Sequence, residues 1–193
     1  MELPTHNYFL WGPYLTKMKV DETLCEKLLT DGRELRTSHR NHLAGKIEKE
    51  FKYDNLKYYQ KQFQPYIDSW IHGWYRQLGS HVAVKGKLVS LWINFQKAKE
   101  HNPPHIHPGA DVSFALHLNA PLEMIGEKQD TTGIAPGRLS FLYGEERPHT
   151  IAERSFTPEK NVMFMFPARL KHHVPSFWID NERISVSGNL VVV

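Results

Sequence analysis

The sequence predicts a mainly β protein, an antiparallel jelly roll or sandwich with helices packed outside it. Two observations carry this prediction. Before Gly79 the apolar residues recur at helical spacing, and after it they alternate with polar residues at every second position, as in strands. Asn-Pro-Pro, Pro-Gly and Thr-Thr-Gly sequences, which are typical of turns, separate the alternating segments.

Three N-terminal segments have the helical pattern. Val20 to Arg36 is predicted to be an amphipathic helix, with Asp21 favouring its N-terminus. Asn41 to Phe51 carries apolar residues at four-residue intervals and is also predicted to be helical. Lys57 to Leu78 extends the same pattern, and Pro65 is expected to kink or break this helix.

Seven later segments are predicted to be strands because they alternate or are short and apolar. Within the second of them, the apolar face is expected to consist of Val89, Leu91, Ile93 and Phe95. The seven segments are Val82 to Lys87, Leu88 to Lys97, Asp111 to Leu118, Arg138 to Tyr143, His149 to Phe156, Asn161 to Phe166 and Glu182 to Val193.

Composition limits the function classes. The 193 residues are 40% hydrophobic and 23% charged, which excludes a disordered chain. The formal net charge of +3 is too small to indicate a nucleic-acid partner. The apolar stretches are far shorter than the roughly 20 residues of a membrane helix, so no membrane partner is expected. The single cysteine, Cys25, excludes an internal disulfide and favours a reducing compartment, and we expect a cytoplasmic location.

The twelve histidines include one pair with metal-ligand spacing. His105 and His107 lie two positions apart in Asn102-Pro-Pro-His-Ile-His-Pro, so on an extended chain both imidazoles project to the same side and could share a metal ion. The prolines on both sides suit the end of a strand better than its middle.

A second pair, His172 and His173, follows the apolar segment that ends at Pro167. Adjacent residues of a strand face opposite sides, so only one of the two can enter the site, and His173 is expected to point outward. Arg183 follows eleven positions after His172 and shares a strand face with Ser185. Its planar guanidinium could hold a carboxylate through two parallel hydrogen bonds.

Together these segments resemble the 2-oxoglutarate- and Fe(II)-dependent oxygenases, in particular the small prolyl-hydroxylase-like group, many members of which are phage-encoded. The ordered matches cover most of the chain. They are Asn41-His-Leu-Ala-Gly-Lys-Ile, Trp92-Ile-Asn, Asn102-Pro-Pro-His-Ile-His, Asp111-Val-Ser-Phe, Phe166-Pro-Ala-Arg-Leu-Lys-His and Glu182-Arg-Ile-Ser-Val-Ser-Gly-Asn.

The resemblance implies a double-stranded β-helix, that is, a jelly roll with a cupin-like fold, packed against α-helices. It also implies one oxygenase domain over residues 1–193, in which residues 1–79 are mainly helical support and residues 80–193 form the jelly-roll core with the metal site. The implied activity is a 2-oxoglutarate- and Fe(II)-dependent dioxygenase that hydroxylates a peptide, a prolyl residue or a small molecule, with O2 as co-substrate. For a phage-encoded member the compartment would be the host cytoplasm.

Carried over by position, the resemblance makes His105, His107 and His172 the metal ligands. His107 departs from the usual pattern, because this family has a carboxylate there to complete a site with two histidines. A second ligand set, His107, Asp111 and His172, restores the carboxylate but loses the two-residue spacing. Both sets remain open at this point.

The resemblance also makes Arg183 the anchor for the distal carboxylate of 2-oxoglutarate, with Ser185 as its hydroxyl partner. Asn94 is either a further contact to the oxo-acid or a structural amide, and His117 is expected beside the site rather than among the ligands. Two other functions stay open: a cupin-like three-histidine metalloenzyme that does not use 2-oxoglutarate, and a metal-free jelly-roll binding module.

Overall fold

The computed structural model describes residues 12–40, 44–79, 83–125 and 136–193. These residues form ten strands and three helices, so the chain is mainly β, as predicted. In chain order the elements are β1 Thr16–Lys19, α1 Glu22–Glu34, β2 Lys49–Lys52, α2 Leu56–Gln77, β3 Gly86–Lys97, β4 Asn102–His105, β5 Val112–Asn119, α3 Leu122–Ile125, β6 Leu139–Leu142, β7 Glu153–Phe156, β8 Val162–Pro167, β9 Lys171–Val174 and β10 Glu182–Val192.

The strands form two antiparallel sheets. The larger sheet has six strands in the order β1-β8-β5-β10-β3-β2, and the smaller has four in the order β4-β9-β6-β7. Phe164 and Phe166 of the larger sheet pack against Phe141 of the smaller one, with ring centroids 6.3 and 4.8 Å apart. The inner faces of the two sheets therefore enclose an apolar core at one end and, as described below, a polar cavity at the other.

Helices α1 and α2 cover the outer face of the larger sheet. Phe63 of α2 lies against Phe114 of β5, with ring centroids 4.8 Å apart, and the indole nitrogen of Trp70 donates to the carbonyl of Met165 at 3.2 Å. Asp21 caps α1 by accepting a hydrogen bond from the amide of Leu24. Both helices lie close to their predicted bounds, and α2 continues through Pro65. No helix among the described residues has the length and apolarity needed to cross a membrane.

The predicted helix over Asn41 to Phe51 is wrong. Residues 41–43 lie outside the described part of the chain, and Lys49–Lys52 form β2, the edge strand of the larger sheet paired with β3. Four residues are too few to show a strand period, and β2 is fixed by hydrogen bonds to a distant strand, which local spacing does not report.

Three strand predictions also need correction. Val82 to Lys87 is not a separate strand: Val82 lies outside the described residues, and β3 begins at Gly86 and continues to Lys97. Val89 does not belong to the apolar face of β3: a bulge opposite Asn189 and Leu190 makes it an extra residue, so Leu88 takes the buried position and Val89 is exposed. The strand predicted from His149 begins only at Glu153, because His149 adopts a positive φ of 65° in the preceding turn. By contrast, the predicted alternation of β5 and β10 is confirmed.

Candidate functional site

The smaller sheet brings three histidines together. His105 at the end of β4 pairs directly with His172 in β9, and His107 follows two residues later. The amide of His107 donates to the carbonyl of Ala168 at 2.9 Å, which fixes the chain beyond β4 beside β9. One ring nitrogen from each histidine lies within 4.8 Å of the other two. The geometry thus supplies three imidazole donors around one point.

Backbone carbonyls orient two of these rings. Nδ1 of His105 lies 2.7 Å from the carbonyl oxygen of Pro103, and Nδ1 of His172 lies 2.9 Å from that of Leu170. A carbonyl can only accept, so each Nδ1 carries the proton and donates. Each neutral ring then presents the lone pair of Nε2, the arrangement in which histidines bind metal ions.

The three histidines fit a metal ion. Burial lowers the pKa of His107 to about 4 and that of His172 to about 3, with the charge of His105 adding to the effect in both cases, so both rings are neutral at pH 7. Their Nε2 atoms are 3.2 Å apart. Two imidazoles that share a metal at roughly 2.1 Å place their nitrogens about 3.0–3.4 Å from each other. The observed separation of this pair falls within that range.

Asp111 lies outside this cluster. Its exposed carboxylate accepts a hydrogen bond from the amide of Val192 at 2.8 Å, which joins the start of β5 to the end of β10. His173, next to His172, points away from the cluster and lies 3.4 Å from a carboxylate oxygen of Glu153. The structure thus groups the first of the two predicted ligand sets and not the second.

The larger sheet contributes Arg183, which is only 2% exposed. Its guanidinium donates to Gln96 Oε1 at 3.2 Å and to Ser185 Oγ at 3.4 Å, and it lies 3.2 Å from Nδ1 of His117. Within the described part of the chain it has no ion pair with a carboxylate, and its Nε has no partner. Burial lowers the pKa of Arg183 to about 10, so the group is still a cation at neutral pH.

A buried cation without an anion is costly, and removing one partner from such a pair costs several kcal/mol. Arg183 therefore lacks a negatively charged partner that a ligand can supply. His117 clarifies the arrangement further: because arginine only donates, Nδ1 of His117 accepts and its proton is on Nε2. Burial and the charge of Arg183 hold the pKa of His117 well below its usual range, so this ring is neutral.

Polar side chains continue from Arg183 in a row across four strands. Glu50 of β2 is opposite Asn94 of β3, Asn94 is opposite Ser185 of β10, and Ser185 is opposite His117 of β5. Asn94 Nδ2 donates to Ser185 Oγ at 3.4 Å. All four side chains are buried. Asn94, Ser185 and Arg183 were predicted as site residues, whereas Glu50 was missed because its segment was interpreted as a helix.

Arg183, the histidine cluster and the members of the row other than His117 line one small cavity of about 40 Å³ between the sheets. His105, His107 and His172 form one part of its wall, and Arg183, Ser185, Asn94 and Glu50 form another. Trp92 lies at the histidine end, with its ring 5.6 Å from that of His107. The cavity thus combines a neutral metal-ligand set with a buried cation, which suits an anion that binds a metal at one end and carries a carboxylate at the other.

Comparison with known families agrees with this geometry. The model of the family described as "Putative 2OG-Fe(II) oxygenase", where 2OG is 2-oxoglutarate, matches residues 90–189, more than half of the chain. The chain belongs to the 2OG-Fe(II) oxygenase family. The matched range contains all three histidines of the cluster together with Arg183, Ser185 and Asn94. The oxygenase is therefore an enzyme whose cofactors are Fe(II) and 2OG, as the resemblance implied.

Solved structures share the fold of the oxygenase at low sequence identity. A prolyl-4-hydroxylase from Pseudomonas putida matches with 14% identity and a TM-score of 0.58, covering 93% of this chain and 92% of its own. The viral collagen prolyl hydroxylase of Paramecium bursaria Chlorella virus-1, solved with 2OG, matches with 13% identity and a TM-score of 0.55, covering 93% and 96%. Curated proteins give no match.

A third neighbour has a different kind of ligand. The protein from Streptomyces hygroscopicus solved with nickel, 2OG and hygromycin B matches with 9% identity and a TM-score of 0.56, covering 93% of the oxygenase and 83% of its own chain. Some proteins of this fold are thus named as prolyl hydroxylases, and another is solved with a small molecule bound. The fold alone therefore does not identify the substrate.

Proposed function

We propose that the oxygenase binds Fe(II) through His105, His107 and His172, binds 2OG through Arg183, Ser185 and Asn94, and hydroxylates a peptide substrate, with a prolyl residue as the first candidate. The observation that carries the co-substrate assignment is Arg183, a buried cation with no carboxylate partner among the described residues. It lines the same cavity as the three histidines. A dicarboxylate with a chelating oxo-acid end supplies both a metal ligand and the missing anion.

Each residue has a defined task in this proposal. The histidines hold the metal as neutral donors and leave positions open for the oxo-acid and for O2. Arg183 takes the distal carboxylate through its planar fork, and the hydroxyl of Ser185 adds a hydrogen bond to the same group. Bound iron would activate O2, the oxidant, with 2OG as the co-substrate that is oxidised to succinate and CO2, and the buried side chains around the cavity keep bulk water away.

The peptide assignment is supported by structural neighbours. The Pseudomonas putida and viral proteins are both prolyl hydroxylases by name. A prolyl hydroxylase from Trichoplax adhaerens, solved with a peptide fragment of hypoxia inducible factor, matches with 14% identity and a TM-score of 0.56, covering 92% of the oxygenase and 83% of its own chain. The measurement that tests it is succinate release and a 16 Da mass gain on proline-containing peptides, with alanine-substituted copies as matched controls.

The co-substrate assignment is tested without any substrate. Under anaerobic conditions with Fe(II), 2OG should give the weak visible charge-transfer band of a chelated oxo-acid. We expect Arg183→Ala to weaken 2OG binding by at least about 30-fold, because it removes a charge-assisted pair from a buried site. Lysine at this position should recover part of the loss, since a point charge does not reproduce the fork. Pyruvate lacks the distal carboxylate and should bind the parent and Arg183→Ala equally.

Three results would contradict this proposal. Iron bound without a 2OG band would favour the three-histidine cupin reaction that does not use 2OG. Unchanged 2OG affinity in Arg183→Ala would remove Arg183 from the site. Failure of the parent protein to bind iron at all would favour a metal-free binding module.

A further inference from the structure

The proposed metal site, on which this inference rests, differs from the usual facial triad in charge. That triad has one carboxylate ligand, whereas the three ligands here are imidazoles, which bind a metal as neutral groups. In the usual triad, the charges of the divalent metal and the cationic arginine are balanced by dianionic 2OG and the single carboxylate ligand. The loaded site is then neutral. Replacing its carboxylate with His107 leaves one uncompensated positive charge in a buried cavity. Such a charge is costly unless an anion lies close to it.

Glu50 is the carboxyl group that lines this cavity. It is 2% exposed and projects from β2, opposite Asn94. Among the described residues its Oε1 has no hydrogen-bond donor, and no lysine, arginine or histidine forms an ion pair with it. The oxygen of Asn94 beside it is also without a donor. A buried carboxyl oxygen without a donor, in a side chain that forms no ion pair among the described residues, points to a partner that enters the cavity.

We propose that Glu50 is the counter-charge of the metal centre: from the opposite sheet, without binding the metal, it supplies the negative charge that the facial triad normally carries as a ligand. The ionised carboxylate would return the loaded site to neutrality. It would stabilise the bound metal through space, and it would oppose the entry of the 2OG dianion. Glu50 thus acts through its charge and not as a ligand. It should raise the affinity for the metal and lower the affinity for 2OG.

The surroundings of Glu50 support this role. Burial raises the pKa of Glu50 to about 7, with Arg40 opposing the shift and Glu100 adding to it. Glu100 does not compete for the role, because its carboxylate accepts from the backbone amides of Glu48 and Lys97. The other charged or titratable groups that line the cavity are the three histidines and Arg183. A cation that enters the cavity should lower the pKa of Glu50 and drive a proton from it.

The test compares the parent protein with Glu50→Gln, which keeps the shape of the side chain and removes the charge. Co(II) is the probe because it is stable in air, and calorimetry at pH 8 measures Co(II) affinity and then 2OG affinity of the Co(II)-loaded protein. We expect Glu50→Gln to weaken Co(II) binding about tenfold and to tighten 2OG binding about threefold. Glu48→Gln, an exposed change of the same charge two residues away, should alter neither affinity by more than about twofold.

A second measurement counts protons. At pH 7, Co(II) binding in buffers of different ionisation enthalpy should release about half a proton more from the parent than from Glu50→Gln, since Glu50 is then about half protonated. This count does not depend on the stability of the variant. Equal proton release would contradict the role of Glu50.

The outcomes separate this role from the proposed function. If the parent binds Co(II) and Glu50→Gln binds both ligands unchanged, the role of Glu50 alone is overturned. If both affinities fall together, Glu50 is only structural and the inference is wrong. If the parent binds no Co(II), the proposed metal site is wrong, and the counter-charge role is wrong with it.

Discussion

The two sheets contribute to the cavity in opposite ways. In the smaller sheet, backbone carbonyls of Pro103 and Leu170 already bind one nitrogen of His105 and His172, and the rings are neutral. In the larger sheet, the polar side chains are incompletely paired. Buried atoms without a partner occur there in Glu50, Asn94, His117 and Arg183, all within the described residues.

This difference indicates which half of the site is preformed. Two rings of the histidine cluster are oriented before any ligand binds, because backbone carbonyls hold His105 and His172, and the backbone of His107 is fixed by its hydrogen bond to Ala168. The larger sheet contains a buried cation, Arg183, and a buried carboxyl group, Glu50, neither of which forms an ion pair among the described residues. Substitutions of the histidines should therefore abolish metal binding. Substitutions of the polar residues in the larger sheet should instead change the affinity for the anion by smaller steps.

The largest effect is expected for His172→Ala. This change removes the most buried of the three imidazoles, and two remaining ligands should not retain Fe(II) in an anaerobic titration. His173→Ala is the matched control, because that ring faces away toward Glu153 and should leave iron binding unchanged. Iron retained by His172→Ala would show that the metal, if bound, is elsewhere.

The next effect distinguishes His105 from Asp111. His105→Ala should lower Fe(II) affinity at least about a hundredfold, since second-sphere changes alone cost up to that factor. Asp111→Ala should keep iron and lose only about 1 kcal/mol of unfolding free energy, because its carboxylate accepts the Val192 amide at the surface. The reverse result, iron lost in Asp111→Ala and kept in His105→Ala, would establish the second ligand set.

A smaller effect is expected for Ser185→Ala. Ser185 Oγ lies near both Arg183 and Asn94, so its loss removes one hydrogen bond from the carboxylate subsite. We expect 2OG binding to the iron-loaded protein to weaken about three- to tenfold. Ser140→Ala is the control: this serine is also buried, but its hydroxyl is paired with Ser155, so the change should affect stability and not 2OG affinity.

A further effect is expected in the pH dependence of stability without metal. The folded protein raises the pKa of Glu50 from its usual 4.5 to about 7, so between these values the folded state holds more protons than the unfolded state. The unfolding free energy of the parent, relative to that of Glu50→Gln, should therefore fall as the pH rises from 4.5 to 7 and then level off. Urea unfolding of both proteins across this range measures the difference. A constant difference would contradict the buried, unpaired state of Glu50.

The local sequence pattern is sufficient to predict which side chains share a face where a segment is long and has one buried face. The alternation of β10 placed Arg183 and Ser185 on a common side, and the structure has both side chains in the cavity. The two-residue spacing of His105 and His107 likewise holds, although His107 lies beyond the end of β4. These relations depend only on backbone geometry within a few residues, so they can be predicted from the spacing of residues in the sequence.

Features that depend on strand pairing could not be obtained in this way. The bulge that exposes Val89 is defined by its register against Asn189, a hundred positions later in the chain. The contact of His117 with Arg183 and the burial of Glu50 arise from the order of four strands in the larger sheet. A periodicity argument has no access to that order, so it predicts a helix at Glu50 and gives no partner for His117.

The placement of the ligand residues on separate layers has a mechanical consequence. A molecule held by the histidines of the smaller sheet and by Arg183 of the larger one is a removable cross-link between them. It adds to the free energy needed to separate the layers, in the way any ligand specific for the folded state does. The amide hydrogens of Asn102 and His105 in β4, at the edge of the smaller sheet, should then exchange more slowly when a dicarboxylate spans the layers than when pyruvate occupies only the histidine end.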